Sequence, residues 1–164
     1  MALWRLTKGS VLAGAYVQDG GSSLRVKRLD IVATPTGAEQ DTGWDLPAKS
    51  LVLDVWIDVT TAEATGTTKT LDVGLLSSES GGDADGFLDG VSVAATGVKK
   101  GTLLNTGQTL GALSRVDEDG AGGLSPEPHI TATAKSVTYT AGSGNFAEFR
   151  GAIYVSYLEL GIDN

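Results

Sequence analysis

The chain of 164 residues has no cysteine. That excludes disulfide staples, thiol catalysis and cysteine-based zinc or iron–sulfur sites. It has one histidine, His129, so a catalytic base beside a nucleophile has a single candidate of that type. Basic residues are the scarcer charge, twelve Lys and Arg against twenty Asp and Glu, for a net charge of −8. A nucleic-acid binder needs a basic face to displace counterions, and this balance argues against that role. No apolar run approaches the ~20 residues of a membrane-spanning helix. Helical periodicity is almost absent as well.

What is present is glycine, 23 residues of it, between short alternating segments. The hydrophobic fraction of 41% is enough for a core. The length fits one domain. The start, MALWRLTKGSVLAGAYV, has a short apolar segment after Arg5 and Lys8 but no clear small-x-small cleavage site, so it reads as mature sequence. Residues 1–20 are expected to form an N-terminal arm or first strand, and residues 21–164 a β-sandwich domain. Charge is uneven: residues 1–30 hold five basic groups (Arg5, Lys8, Arg25, Lys27, Arg28) and two acidic ones, while the rest holds seven and eighteen. With Trp4, these basic groups are the candidates for meeting an acidic partner or another copy of the chain.

Strand signals recur. Residues 24–33 (LRVKRLDIVA) read as a strand with its basic groups on one side. Residues 50–60 (SLVLDVWIDVT) alternate cleanly, with Leu51, Leu53, Val55, Ile57 and Val59 expected on one face and Val52, Asp54, Trp56 and Asp58 on the other. Leu71, Val73 and Leu75 repeat the pattern, as do Val91 and Val93. Residues 99–114 are ambiguous, either short strands or an exposed hairpin. Residues 115–128 (RVDEDGAGGLSPEP) read as a loop. Residues 129–140 read as one strand, and in 149–160 Phe149, Ile153, Val155 and Tyr157 share a face. The sum is roughly seven or eight strands with turns every ~8–12 residues, an all-β antiparallel sandwich.

The stretch SSESGGDADGFLDG, residues 77–90, is the obvious candidate for chemistry. An EF-hand loop started at Asp83 fails, with Phe87, Leu88 and Ala94 where an acid, a glycine and a glutamate are needed. The glycine-rich calcium nonapeptide fails at Ala84. An irregular calcium site from Asp83, Asp85 and Asp89 is the residual alternative to a solvated turn. Asp54 and Asp58, four residues apart on a strand, stand ~13 Å apart, too far for a glycosidase carboxylate pair. No nucleophile elbow, phosphate loop or dinucleotide fingerprint occurs. His129 heads a strand, where a surface or capping role is the ordinary one. No cofactor is expected, and the chain is not expected to be an enzyme. Trp56 stands between two aspartates, either as a platform for a sugar or protein or as part of a covered face.

From about Asp45 onward the chain resembles small head structural proteins of tailed bacteriophages. The segments that carry this are residues 45–62 (DLPAKSLVLDVWIDVTTA), 66–75 (GTTKTLDVGL), 82–95 (GDADGFLDGVSVAA) and 152–160 (AIYVSYLEL). The likeness covers about two thirds of the chain and leaves out the first 20 residues and the 115–128 loop. It implies a jelly-roll-like sandwich and a capsid decoration, or cement, protein, made in the host cytoplasm and placed on the virion exterior. It implies the major capsid protein as partner, and other copies of itself, as in a homotrimer. A phage fibre or host-surface carbohydrate-binding module of the same fold is the alternative. On either reading the acidic, glycine-rich step at 82–90 joins two strands.

Overall fold

The computed structural model describes residues 23–103, 109–117, 124–142 and 144–160. The expected arm over residues 1–20, with Trp4, Arg5 and Lys8, lies outside them. Among the described residues eleven strands run β1 (Ser23–Asp30), β2 (Gln40–Leu46), β3 (Ser50–Thr61), β4 (Thr70–Leu75), β5 (Asp83–Ser92) and β6 (Gly97–Lys100). After a single 3-10 turn at Ala112–Ser114 come β7 (Arg115–Asp117), β8 (Leu124–Pro126), β9 (His129–Ile130), β10 (Lys135–Ala141) and β11 (Arg150–Glu159).

Two antiparallel sheets face each other. The first has the order β1-β11-β3-β6, with β9 also on β3, and the second has the order β2-β10-β4-β5. The chain crosses repeatedly from one sheet to the other, and only β4 and β5 are successive neighbours within a principal sheet. That order is the one of a double-sheet jelly roll. Eight strands build the sandwich, and the short β7, β8 and β9 lie beside it. The core between the sheets holds Leu46, Ile57, Leu71, Leu75, Phe87 and Ile153, each at most 1% exposed. The alternations expected in β4 and β11 are there: Leu71, Val73 and Leu75 face inward, as do Phe149, Ile153, Val155 and Tyr157.

The alternation in β3 is not continuous. Asp54 pairs with Ser156 and Val52 with Tyr157, so Leu53 is an extra residue in the ladder. A bulge of this kind leaves one residue unpaired and reverses the parity beyond it. Val52 is therefore buried at 3%, while Leu53 is 44% exposed and Leu51 faces outward. The expectation that Leu51 and Leu53 join Val55, Ile57 and Val59 on the core face is corrected. Three other readings change. Residues 40–46 form a strand that their turn-like composition hides. The 115–128 segment carries the β7–β8 ribbon. Residues 129–140 split between two sheets, β9 beside β3 and β10 beside β4.

The stretch 77–90 also divides. Backbone bonds from Glu79 to Leu76 and from Gly82 to Glu79 close a turn. Asp83 then begins β5. Leu75 pairs with Asp83 and Val73 with Leu88, so residues 84–87 make a wide excursion across the sheet. That excursion passes over Gly74, where a Cβ would sit 2.0 Å from the Asp83 carbonyl oxygen.

One carboxylate is inside. Glu63, just after β3, is 1% exposed. Its Oε2 accepts the backbone N–H groups of Ala147, Glu148 and Phe149 at 3.0, 3.1 and 3.2 Å. Its Oε1 accepts the Thr65 N–H at 3.0 Å and the Thr65 hydroxyl. Burial alone would push this carboxyl up, but the donors from Thr65, Glu148 and Ala147 outweigh it and hold the pKa at about 2. The contact fastens the loop after β3 to the segment entering β11, where Phe146 and Phe149 meet at 5.7 Å.

Candidate interaction surface

The outer face of the first sheet is built by cross-strand rows. Directly paired residues point to the same side of a sheet. One row runs Leu24, Leu158, Leu51, Ile130 across β1, β11, β3 and β9. The next begins with Val26, Ser156 and Asp54, with the bulged Leu53 beside it. The third is Arg28, Tyr154, Trp56, Lys100. The fourth is Asp30, Ala152, Asp58, Val98.

Two properties follow. First, the face is unusually apolar for an exposed one. Leu24, Val26, Leu53, Ile130 and Val98 are 44–64% exposed, and all belong to it. Patches of this kind mark interaction sites more often than scattered single residues do. Beside Leu53 an open groove of about 360 Å³ continues the patch, lined by Leu103, Leu110, Pro126 and Pro128 among others. Second, the aromatics of the third row are packed on their neighbours. Trp56 and Tyr154 stack at 5.3 Å with 2° between planes. The Lys100 ammonium lies over the indole at 5.2 Å and also pairs with Asp54. Trp56 thus has both ring faces occupied by its own protein.

The basic residues of β1 do not form one patch. Arg28 is on the outer face, bound to Asp30 at 2.7 Å. Arg25 and Lys27 point to the inner side, opposite Tyr157 and Val155. Arg25 meets Glu159 at 3.1 Å, and Lys27 lies 5.7 Å over Trp44, which in turn packs on Tyr157. The reading of β1 as a strand with its basic groups on one side is corrected: the run KR places neighbours on opposite faces.

The second sheet presents the opposite chemistry. Asp41, Asp45 and Asp72 lie on its outer face, opposite Thr138, Ser136 and Thr140. Glu39 accepts hydrogen bonds there from Ser77 and from Thr138. Asp72 accepts the Gly90 N–H at 2.6 Å, yet burial and then the charges of Asp89 and Asp85 raise its pKa. Asp83 is pushed up to about 6, first by a hydrogen bond shared with the Asp85 carboxyl, then by burial and the Asp85 charge. Asp89 adds to both. Of the calcium alternative, then, Asp83 and Asp85 are close, and Asp89 acts on Asp83 through charge. Among the described residues no three carboxylates or imidazoles are placed to hold a metal ion. His129 stands edge-on to Phe87 at 6.0 Å, half-buried, and burial lowers its pKa.

Sequence reasoning found Trp56 but missed Tyr154, Lys100 and the aliphatic row. Each belongs to a different strand, and only the register brings them together. No protein-family model and no curated protein matches the chain. Among solved structures it is similar to a chain of the cyanophage Pam1 capsid asymmetric unit, with a TM-score of 0.55 and 18% sequence identity. The match covers 92% of this chain and 96% of that one, so the likeness is one of the whole fold rather than of a shared fragment.

Proposed function

We propose that this protein is a virion structural component that binds the outside of a tailed-phage capsid and stabilises it, without catalysis. The observation that carries the reading is whole-length likeness in fold to a chain of a phage capsid assembly. The two faces of the sandwich support it. An apolar outer face with a groove suits contact with the shell, and an acidic opposite face suits solvent. The partner is the major capsid protein. A homotrimer is the assembly proposed, since closed symmetry covers exposed sheet edges and faces. The mechanism is linkage: a protein that binds the assembled shell and not its dissociated subunits stabilises the shell by mass action.

A carbohydrate reader on a fibre would need a free aromatic face. Trp56 offers none, between Tyr154 and Lys100. The test is co-sedimentation with expanded capsids, together with the protein's mass in solution. Binding at saturable stoichiometry by a trimer is the expected result. A monomer that stays in the supernatant would overturn the proposal.

A further inference from the structure

Strand β3 has β11 along one side from Ser50 to Thr61. Along its other side it pairs with β9 at Leu51 and Val52, and with β6 from Trp56 to Val59. Among the described residues, Leu53, Asp54 and Val55 have no strand on that side. The gap is about 10 Å long at ~3.3 Å per residue. Asp54 and Val55 follow each other without a break in the β11 ladder. One of the two therefore turns its N–H and C=O toward the gap, because these groups alternate between the edges of a strand.

Both flanks of the gap are held by other partners. After β6 the Thr102 carbonyl accepts the N–H groups of Thr109 and Leu110 at 2.9 and 3.2 Å, which draws the chain away from β3. A Cβ on Gly101 would sit 2.9 Å from Leu110, so these two segments are in close contact. Before β9, Pro126 pairs with Arg115, and the Glu127 N–H bonds to the Ser114 carbonyl at 3.0 Å. Pro128, next in line to extend the β9 pairing, has no N–H to give. Leu103, Leu110, Pro126 and Pro128 line the groove between the flanks. Its two charged lining residues are Asp54 and Glu127. Asp54 is paired with Lys100, and the nearby Arg115 guanidinium donates to the Leu110 carbonyl at 3.0 Å. Among the described residues the exposed Glu127 has no ion pair.

We infer that this gap is a docking slot for a short extended segment of the capsid partner. The segment pairs with β3 between β9 and β6, seats an aliphatic side chain in the groove and sets a lysine or arginine beside Glu127. Each requirement has its own cause. An unpaired stretch of strand edge takes an extended backbone, by addition of a strand. The aliphatic and proline lining takes an apolar side chain. The uncompensated carboxylate takes a cation, and an acidic residue there would meet like charge. The slot accommodates about three residues, so it reads a short motif rather than a whole surface. The source of the segment rests on the capsid reading above, and the slot itself does not.

Titration of the isotope-labelled full chain with two blocked peptides, acetyl-KVTVK-amide and acetyl-EVTVE-amide, tests the slot directly. At about 0.15 M salt, charges beyond roughly 8 Å are screened. The amides of residues 53–55, 101–103 and 127 are expected to shift with the basic peptide, and the acidic one to bind at least about threefold more weakly. Glu127→Lys is expected to shrink that preference at least about threefold, and the milder Glu127→Gln to move it the same way. No shift at these amides, or a preference that neither variant alters, overturns the slot. Shifts that follow protein concentration instead of peptide mean that a second copy fills the gap, and they overturn it as well. On expanded capsids Glu127→Lys is expected to co-sediment at least about threefold more weakly than the native chain. Native binding that the variant leaves unchanged overturns the slot and keeps the capsid reading. Peptide binding at the gap by a chain that stays in the supernatant keeps the slot and overturns the capsid as its source.

Discussion

Glu63→Gln isolates the buried carboxylate from every other feature of the fold. The shape is kept, and only the charge and one acceptor change. In the native protein five donors converge on two oxygens, three backbone N–H groups on one and the Thr65 N–H and hydroxyl on the other. A glutamine must turn its NH₂ toward one of those sets, donor against donor. The pKa shift from 4.5 to about 2 sets a ceiling of about 3 kcal/mol at 1.36 kcal/mol per unit. Glu63 is 1% exposed, so solvent screens it little, and relaxation of the loop around the change leaves about 1–2 kcal/mol of that ceiling. The mismatched donor adds about 1 kcal/mol. The expected loss is about 2–3 kcal/mol at pH 7, or a melting temperature lower by about 4–12 °C for a domain of this size. The sign of the pH dependence is fixed. A depressed carboxyl stabilises the fold above its unfolded pKa, and that contribution is lost as pH falls from about 4.5 through about 2. Thermal unfolding of both proteins from pH 7 down to pH 2.5 is the assay. The gap between them is expected to narrow steadily below pH 4.5. A gap that stays constant with pH, or no gap at all, would refute the electrostatic account.

Other outcomes are expected. Gly74→Ala should destabilise by about 2–4 kcal/mol in chemical denaturation, because the new methyl meets the backbone of Asp83 and Ala84 rather than a movable side chain. An unchanged midpoint would mean that the excursion at 84–87 does not press on the sheet. Asp83→Asn should raise stability at pH 7 by about 1 kcal/mol, after discounting the shift for a carboxyl that is only partly buried. The raised pKa of Asp83 penalises the fold as pH rises from about 4 through about 6, so the variant's advantage should vanish below pH 4. Val26→Glu with Leu53→Glu should leave the melting temperature within about 2 °C, since both are exposed. The same pair should weaken capsid co-sedimentation at least about tenfold if the outer face of the first sheet is the contact. Unaltered binding would move the contact elsewhere.

The sandwich was legible because its central strands carry the period that a half-buried sheet requires. β4 and β11 bury the residues their alternation picks out. β2 was not legible, because QDTGWDL holds two aspartates and a glycine in the left-handed region at φ 74°. Its burial does alternate, but the more buried positions are Gln40, Thr42, Trp44 and Leu46, two of them polar, so the sequence shows no apolar period. The bulge at Leu53 was invisible for a related reason: an extra residue in a ladder is defined by the partner strand, not by its own sequence. The interaction surface was half legible. Trp56 announced itself by standing between two aspartates. Tyr154, Lys100 and the row from Leu24 to Ile130 are separated by up to 134 positions in the chain, and only strand register puts them on one face.

The surplus residue at Leu53 has a further consequence. On one side of it β3 pairs with β9, through Leu51 and Val52, and on the other with β6, through Trp56 to Val59. The bulge is thus a joint at which a single long strand changes partners. The groove beside Leu53 opens where neither partner reaches. Removing Leu53 altogether would leave every remaining side chain of β3 on the face it now occupies. The fold could therefore lose this residue without losing its frame, while the groove would lose the wall that the residue supplies.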